Sequence, residues 1–124
     1  MKNSTTAFKA FIGTLVLLLM FSTNALAQDK ISEGATAVTK QMKTQLSLND
    51  SQYTKVMDVN KTFLTKATEA NKTANKTEKA KKLKTLTEDR EAKLKSVLTA
   101  DQYKIFAANR ANYAKKLREY YEAK

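Results

Sequence analysis

The sequence predicts an all-α protein, and three observations carry that prediction. The 124 residues contain no proline and only two glycines, so little in the chain breaks a helix or builds a tight turn. Apolar side chains recur at spacings of three and four, the period of a helix with one buried face. A helix-start signature also occurs twice, fifty positions apart, as Leu48-Asn49-Asp50-Ser51-Gln52-Tyr53 and Leu98-Thr99-Ala100-Asp101-Gln102-Tyr103. In each copy Asn49 or Thr99 takes the N-cap, and Gln52 or Gln102 reaches back to the cap's own N–H to complete a capping box. Asp50 and Asp101 put negative charge where the helix dipole favours it. Leu48 and Leu98 precede the caps, placed to staple against an apolar residue inside the helix.

Residues 1–27 read as a cleavable signal peptide. Lys2 and Lys9 supply the positive start, Ala10 to Phe21 an apolar run too short to span a bilayer comfortably, and Ala25-Leu26-Ala27 the small residues of a peptidase site. The chain has no cysteine, which excludes a lipidated-cysteine anchor and disulfides. The 97 residues from Gln28 onward suffice for one helical domain, 28–124, and hold 21 basic against 12 acidic side chains.

Ile31, Ala35, Val38, Met42 and Leu46 place one narrow apolar stripe on a first helix over about 29–46. Gly34 and several threonines weaken this helix, and its N-terminal end is expected to fray. The second helix is expected from Asp50 to about Ala74, with Tyr53, Val56, Met57, Phe63, Leu64, Ala67 and Ala70 on its apolar face and Asn60 in the same stripe. Residues 70–77, a tandem Ala-Asn-Lys-Thr repeat with no large apolar residue, are the weakest stretch and the candidate hinge or connection; one continuous helix is the alternative. The third helix, about Thr77 to Leu98, carries Ala80, Leu83, Leu86, Leu94 and Val97 on one face, with Arg90 among them. Its charged face offers Glu78–Lys82, Asp89–Lys93 and Glu91–Lys95 pairs at i,i+4 spacing. The fourth is expected from Ala100 to near the C-terminus, with Tyr103, Phe106, Tyr113, Leu117, Tyr120 and Tyr121 apolar and Arg110 in the stripe.

From Gln28 onward the chain holds 23 Ile, Leu, Val, Met, Phe and Tyr residues. Shared among four helices they make a marginal monomer core, so a homodimer is expected, with Tyr113, Leu117, Tyr120 and Tyr121 as its interface. With no histidine and no cysteine, the usual nucleophile pairs, imidazole bases and transition-metal sites are missing. No glycine-rich phosphate loop occurs either. Catalytic residues, metal ligands and cofactors are therefore not expected, and the chain does not read as an enzyme.

Leu-Thr-x-x-Gln twice in one small exported helical protein resembles the Spy/CpxP family of periplasmic proteins, whose hallmark is a pair of such motifs. The second copy fits at every fixed position; the first has Asn49 in place of Thr, which keeps the capping chemistry. The resemblance implies a thin, antiparallel, cradle-shaped helical dimer in the periplasm that binds unfolded or partly folded clients without ATP. Only fifty residues separate the two motifs, closer than in Spy itself, which shortens the span of such a cradle.

Two properties of the surface fit that function, namely an excess of lysine and flexible apolar side chains such as Met42 and Met57. The residues expected to meet clients are Lys79, Lys81, Lys82, Lys84 and Arg90 on the third helix and Arg110 and Lys115 on the fourth. Each has a plainer reading, since a lysine run is usually a solvated face and an arginine in an apolar stripe usually snorkels or pairs with a carboxylate. The six motif residues Leu48, Asn49, Gln52, Leu98, Thr99 and Gln102 are expected to be structural. Two alternatives remain open: a CpxP-like regulatory module docking on an envelope-stress sensor kinase, and a charge-driven binder of anionic envelope polymers without nucleic-acid specificity. No membrane span is expected after signal cleavage.

Overall fold

In the computed structural model, residues 25–122 are described. The expected signal segment lies outside them up to residue 24. Five helices and no strand occur among the described residues: α1 (Ala25–Leu46), α2 (Asp50–Asn71), α3 (Lys76–Val97), α4 (Ala100–Ala108) and α5 (Arg110–Tyr121). None is long and apolar enough to cross a membrane.

Both capping boxes form as their residue types dictate. Asn49 Oδ1 accepts from Gln52 N–H at 2.8 Å while Gln52 Oε1 accepts from Asn49 N–H at 3.0 Å. Thr99 and Gln102 repeat the pattern at 3.2 and 2.9 Å. A further cap, Asn75, accepts from Glu78 N–H at 3.0 Å and starts α3. Leu48 and Leu98 are buried ahead of their caps.

Residues 72–75 connect α2 to α3, so one continuous helix does not form, and α2 stops at Asn71, three residues short of the expected end. The connection before α2 differs. Ser47 has φ 57°, a left-handed conformation that glycine adopts at lower cost. It lets Leu48 N–H reach back to Lys43 C=O at 3.2 Å, closing the end of α1 as a Schellman-type turn.

The single fourth helix expected from the sequence is two. Asn109 (φ −109°, ψ 10°) ends α4 and starts α5, and its side-chain amide donates to Ile105 C=O at 2.9 Å. Asn side chains compete with the helical backbone for such bonds, and periodicity alone does not register that competition. Across the break Phe106 and Tyr113 stack at 5.7 Å, and both are fully buried.

α1 packs on α2, α5 and α4, α2 packs also on α5 and α3, and α3 reaches α4 and, through Glu91, Arg110 of α5. The expected stripe of α1 is buried throughout, from Ile31 to Leu46. On α2 it gains Val59, and Tyr53 and Met57 stay half-buried. Gly34, read in the sequence as a weakness, is a packing site: a Cβ there would lie 2.6 Å from Tyr120 Cγ and 3.0 Å from Leu64 Cδ1. On α3 only Arg90 and Leu94 are buried; Ala80, expected on the apolar face, is exposed. This leaves α3 flanking the core with little of its surface inside it.

Candidate functional site

Two features outside the plain apolar packing bear on function. The first is a polar chain through the core. Asn60 on α2 donates to Thr39 Oγ1 on α1 at 2.9 Å, and Arg90 Nε on α3 donates to Asn60 Oδ1 at 3.2 Å. All three side chains are buried. The Arg90 guanidinium lies between two aromatic faces, 5.5 Å from the ring centres of Phe63 and of Phe106, within cation–π range. Burial pushes its pKa down to about 10, against a smaller upward pull from Glu91, so it is still charged at neutral pH.

Arg90 is therefore not an exposed client contact of the expected kind, and it neither snorkels nor pairs with a carboxylate of the described residues. It sits at 3% exposure and ties three helices into one register. Arg110, in contrast, lies at the surface, where its Nε donates to Glu91 Oε2 at 3.0 Å and its guanidinium covers Phe106 at 6.0 Å. Tyr103 and then Glu91 raise its pKa further. Glu91 thus serves Arg110 and not Lys95, and the expected Glu78–Lys82 and Asp89–Lys93 pairs are likewise not among the ion pairs of the described residues. Lys82 instead donates to Thr73 Oγ1 at 3.3 Å.

The second feature is a groove along the α2–α3 seam. Near the connection an open cleft of about 670 Å³ is lined from α2 by Thr65, Lys66, Glu69 and Ala70 and from α3 by Lys81, Lys82, Thr85 and Leu86. Near the other end Val59 and Val97 line a second cleft of about 460 Å³, flanked by Lys55 and Lys93. A small cavity between them reaches Arg90. The groove exists because helix-compatible lysines and threonines, and not large apolar residues, occupy the facing positions of α3. Its floor is apolar (Val59, Ala70, Leu86, Val97) and five lysines border it against Asp58, Glu69 and Asp89.

Of the residues singled out in the sequence, Lys81 and Lys82 line this groove. Lys79 is half-buried on α3, Lys84 is exposed, and Lys115 is exposed on α5, an element that does not line the groove. Sequence reasoning missed Lys55, Lys66 and Lys93. Lys66 sits one residue before Ala67 of the buried stripe, and nothing in the periodicity marks that α2 has a second, half-open flank.

Tyr113 and Leu117 are fully enclosed, Tyr121 is 9% exposed, and Tyr120 packs on the same core. These four residues complete the chain's own core and offer little surface to a second copy, so the expected tyrosine interface is not available. Tyr121 meets Phe63 edge-on at 6.1 Å, and Tyr113 donates its hydroxyl to Gln45 Oε1. Met42 is fully buried too, donor to no adaptable surface.

The six motif residues come together at one end. Gln52 Nε2 donates to Gln102 Oε1 at 2.7 Å and Gln102 Nε2 to Gln52 Oε1 at 3.1 Å. Each amide's remaining hydrogen goes to the last carbonyl of the helix preceding the other motif, Val97 C=O at 3.3 Å and Leu46 C=O at 3.2 Å. The two motifs thus clasp each other reciprocally.

The chain belongs to the family described as a domain of unknown function (DUF4890), whose model matches residues 23–106. No curated protein and no solved structure matches it.

Proposed function

We propose that the protein is an exported, periplasmic, ATP-independent chaperone of the Spy/CpxP kind, holding unfolded or partly folded clients along the α2–α3 groove. The observation that carries this reading is the groove itself, an apolar floor bordered by Lys55, Lys66, Lys81, Lys82 and Lys93. A basic rim speeds encounter with acidic client segments, and an apolar floor then takes their exposed side chains without demanding a particular sequence. The paired Leu-x-x-x-Gln motifs support the same kinship. In this reading two copies pair antiparallel into a cradle, through surface outside the tyrosine core of α5.

The test is suppression of aggregation of a chemically unfolded model protein, without ATP, at low and physiological salt. Wild type is expected to suppress at both. Lys66→Gln/Lys81→Gln/Lys82→Gln should lose most of that effect, and Lys115→Gln should keep it. Failure of the folded wild-type protein to suppress overturns the proposal, and equal activity of the triple variant removes the groove from it.

A further inference from the structure

Among the described residues, Arg90 Nη2 is buried without a hydrogen-bond partner, although Nε of the same guanidinium is bonded to Asn60. None of the ion pairs of the described residues involves Arg90. The nearest acids are otherwise placed: Glu91 binds Arg110, and Asp89 is exposed. A buried guanidinium held only by an amide oxygen and two ring faces is an under-compensated charge, a costly arrangement inside a protein.

Beside it lies the small cavity of the α2–α3 seam, about 20 Å³, whose lining includes buried Val59, Phe63 and Arg90 below and exposed Lys66, Asp89 and Lys93 above. That volume admits one water-sized occupant and no polyatomic ion of sulfate size. Three of its lining side chains are cationic and one is anionic. A water molecule satisfies an N–H donor but leaves the charge uncompensated; an anion does both.

We propose that this cavity is a small-anion site, in which Arg90 at the floor and Lys66 and Lys93 at the mouth hold a chloride ion or one oxygen of a carboxylate. The two ligands share one chemistry, a single negative atom accepting charge-assisted hydrogen bonds. They differ in source, since chloride comes from solution and a carboxylate from an acidic side chain laid across the seam. The site does not depend on the chaperone reading.

Chlorine-35 NMR line width, measured on the full chain at constant ionic strength with an inert bulky anion as filler, tests the proposal. Saturable excess broadening is expected. Lys66→Met/Lys93→Met, both exposed positions, should reduce it several-fold without unfolding the chain, and Arg90→Met should abolish it. Reversal by acetate extends the site to carboxylates, whereas chloride binding that acetate leaves unchanged overturns the carboxylate limb. Absence of saturable broadening, or broadening that survives in the double variant and in folded Arg90→Met, overturns the site; aggregation assays are independent of that result.

Discussion

Gln52 and Gln102, fifty positions apart, are joined through both of their side-chain amides, and each also bonds the terminal carbonyl of a helix that belongs to the other's half of the chain. No hydrogen-bonding capacity of the two amide nitrogens is left over. The glutamine of each motif therefore caps its own helix and clasps the other, so the repeat is a two-part device and not two independent starts.

Gln52→Ala and Gln102→Ala should each lower stability by about 1–2 kcal/mol, through lost capping and orphaned carbonyls. The double variant should cost less than the sum, with a coupling of roughly 0.5–1 kcal/mol in a double-mutant cycle by urea unfolding. Strict additivity would sink the clasp as an energetic unit.

Replacing Ser47 by Gly should stabilise the protein by about 0.5–1 kcal/mol, because a left-handed residue at φ 57° is strained for any residue with a Cβ. A lower melting temperature in this variant contradicts the account.

Gly34→Ala sets two effects against each other. Helix propensity gains up to about 1 kcal/mol, while the new methyl meets Tyr120 Cγ at 2.6 Å, an atom too near the backbone to swing away. Overpacking should win, for a net loss of about 1–3 kcal/mol. In a Tyr120→Ala background the same substitution should turn stabilising, and thermal unfolding of the four proteins reads this directly.

Asn60→Ala should be among the most damaging polar substitutions, on the order of 2–4 kcal/mol, since it strips the one hydrogen bond of a buried guanidinium. Combining it with Arg90→Met should recover much of the loss. Urea unfolding in which the double variant is no better than Asn60→Ala alone would remove Arg90 as the source of the penalty.

Burial raises the Tyr113 pKa above 10.0, against a smaller downward pull from Arg90. Below the unfolded value both states keep the phenol proton and stability does not respond. Above it the unfolded chain releases the proton first, so this tyrosine makes stability fall as pH rises. Arg90, held down at about 10 in the folded protein, acts oppositely as pH rises past that value. Tyr113→Phe should therefore lose less stability than wild type between about pH 9 and pH 11; parallel stability curves would rule this out.

Much of the fold was legible because the signals are local. Caps at Asn49 and Thr99, the α1 stripe and the break near residues 70–77 all follow from near neighbours in sequence. What was not legible depends on pairings across the chain. Tyr113, Leu117 and Tyr121 looked surplus to a single helix because nothing local says that α1 and α2 close over them. Arg90 stood visibly in an apolar stripe, yet its burial requires Phe63 and Asn60 of α2 and Phe106 of α4 to converge on it. The groove was half legible: Lys81 and Lys82 belong to an obvious basic run, whereas Lys55, Lys66 and Lys93 acquire meaning only once α2 and α3 lie side by side. Asn109 hid for another reason, since a side chain that competes for backbone bonds leaves the apolar period untouched.

The reciprocal glutamine clasp has a kinetic consequence. The sequence-adjacent pairs α1–α2 and α2–α3 pack extensively on each other and can begin to form locally, whereas the glutamine clasp closes a loop of fifty residues. Such a contact is entropically slow to make and forms after the local ones. Once made, it ties the fraying ends of α1, α2, α3 and α4 to one another. Hydrogen exchange at that end should accordingly be lost as one cooperative unit, while the connection at residues 72–75 opens independently of it.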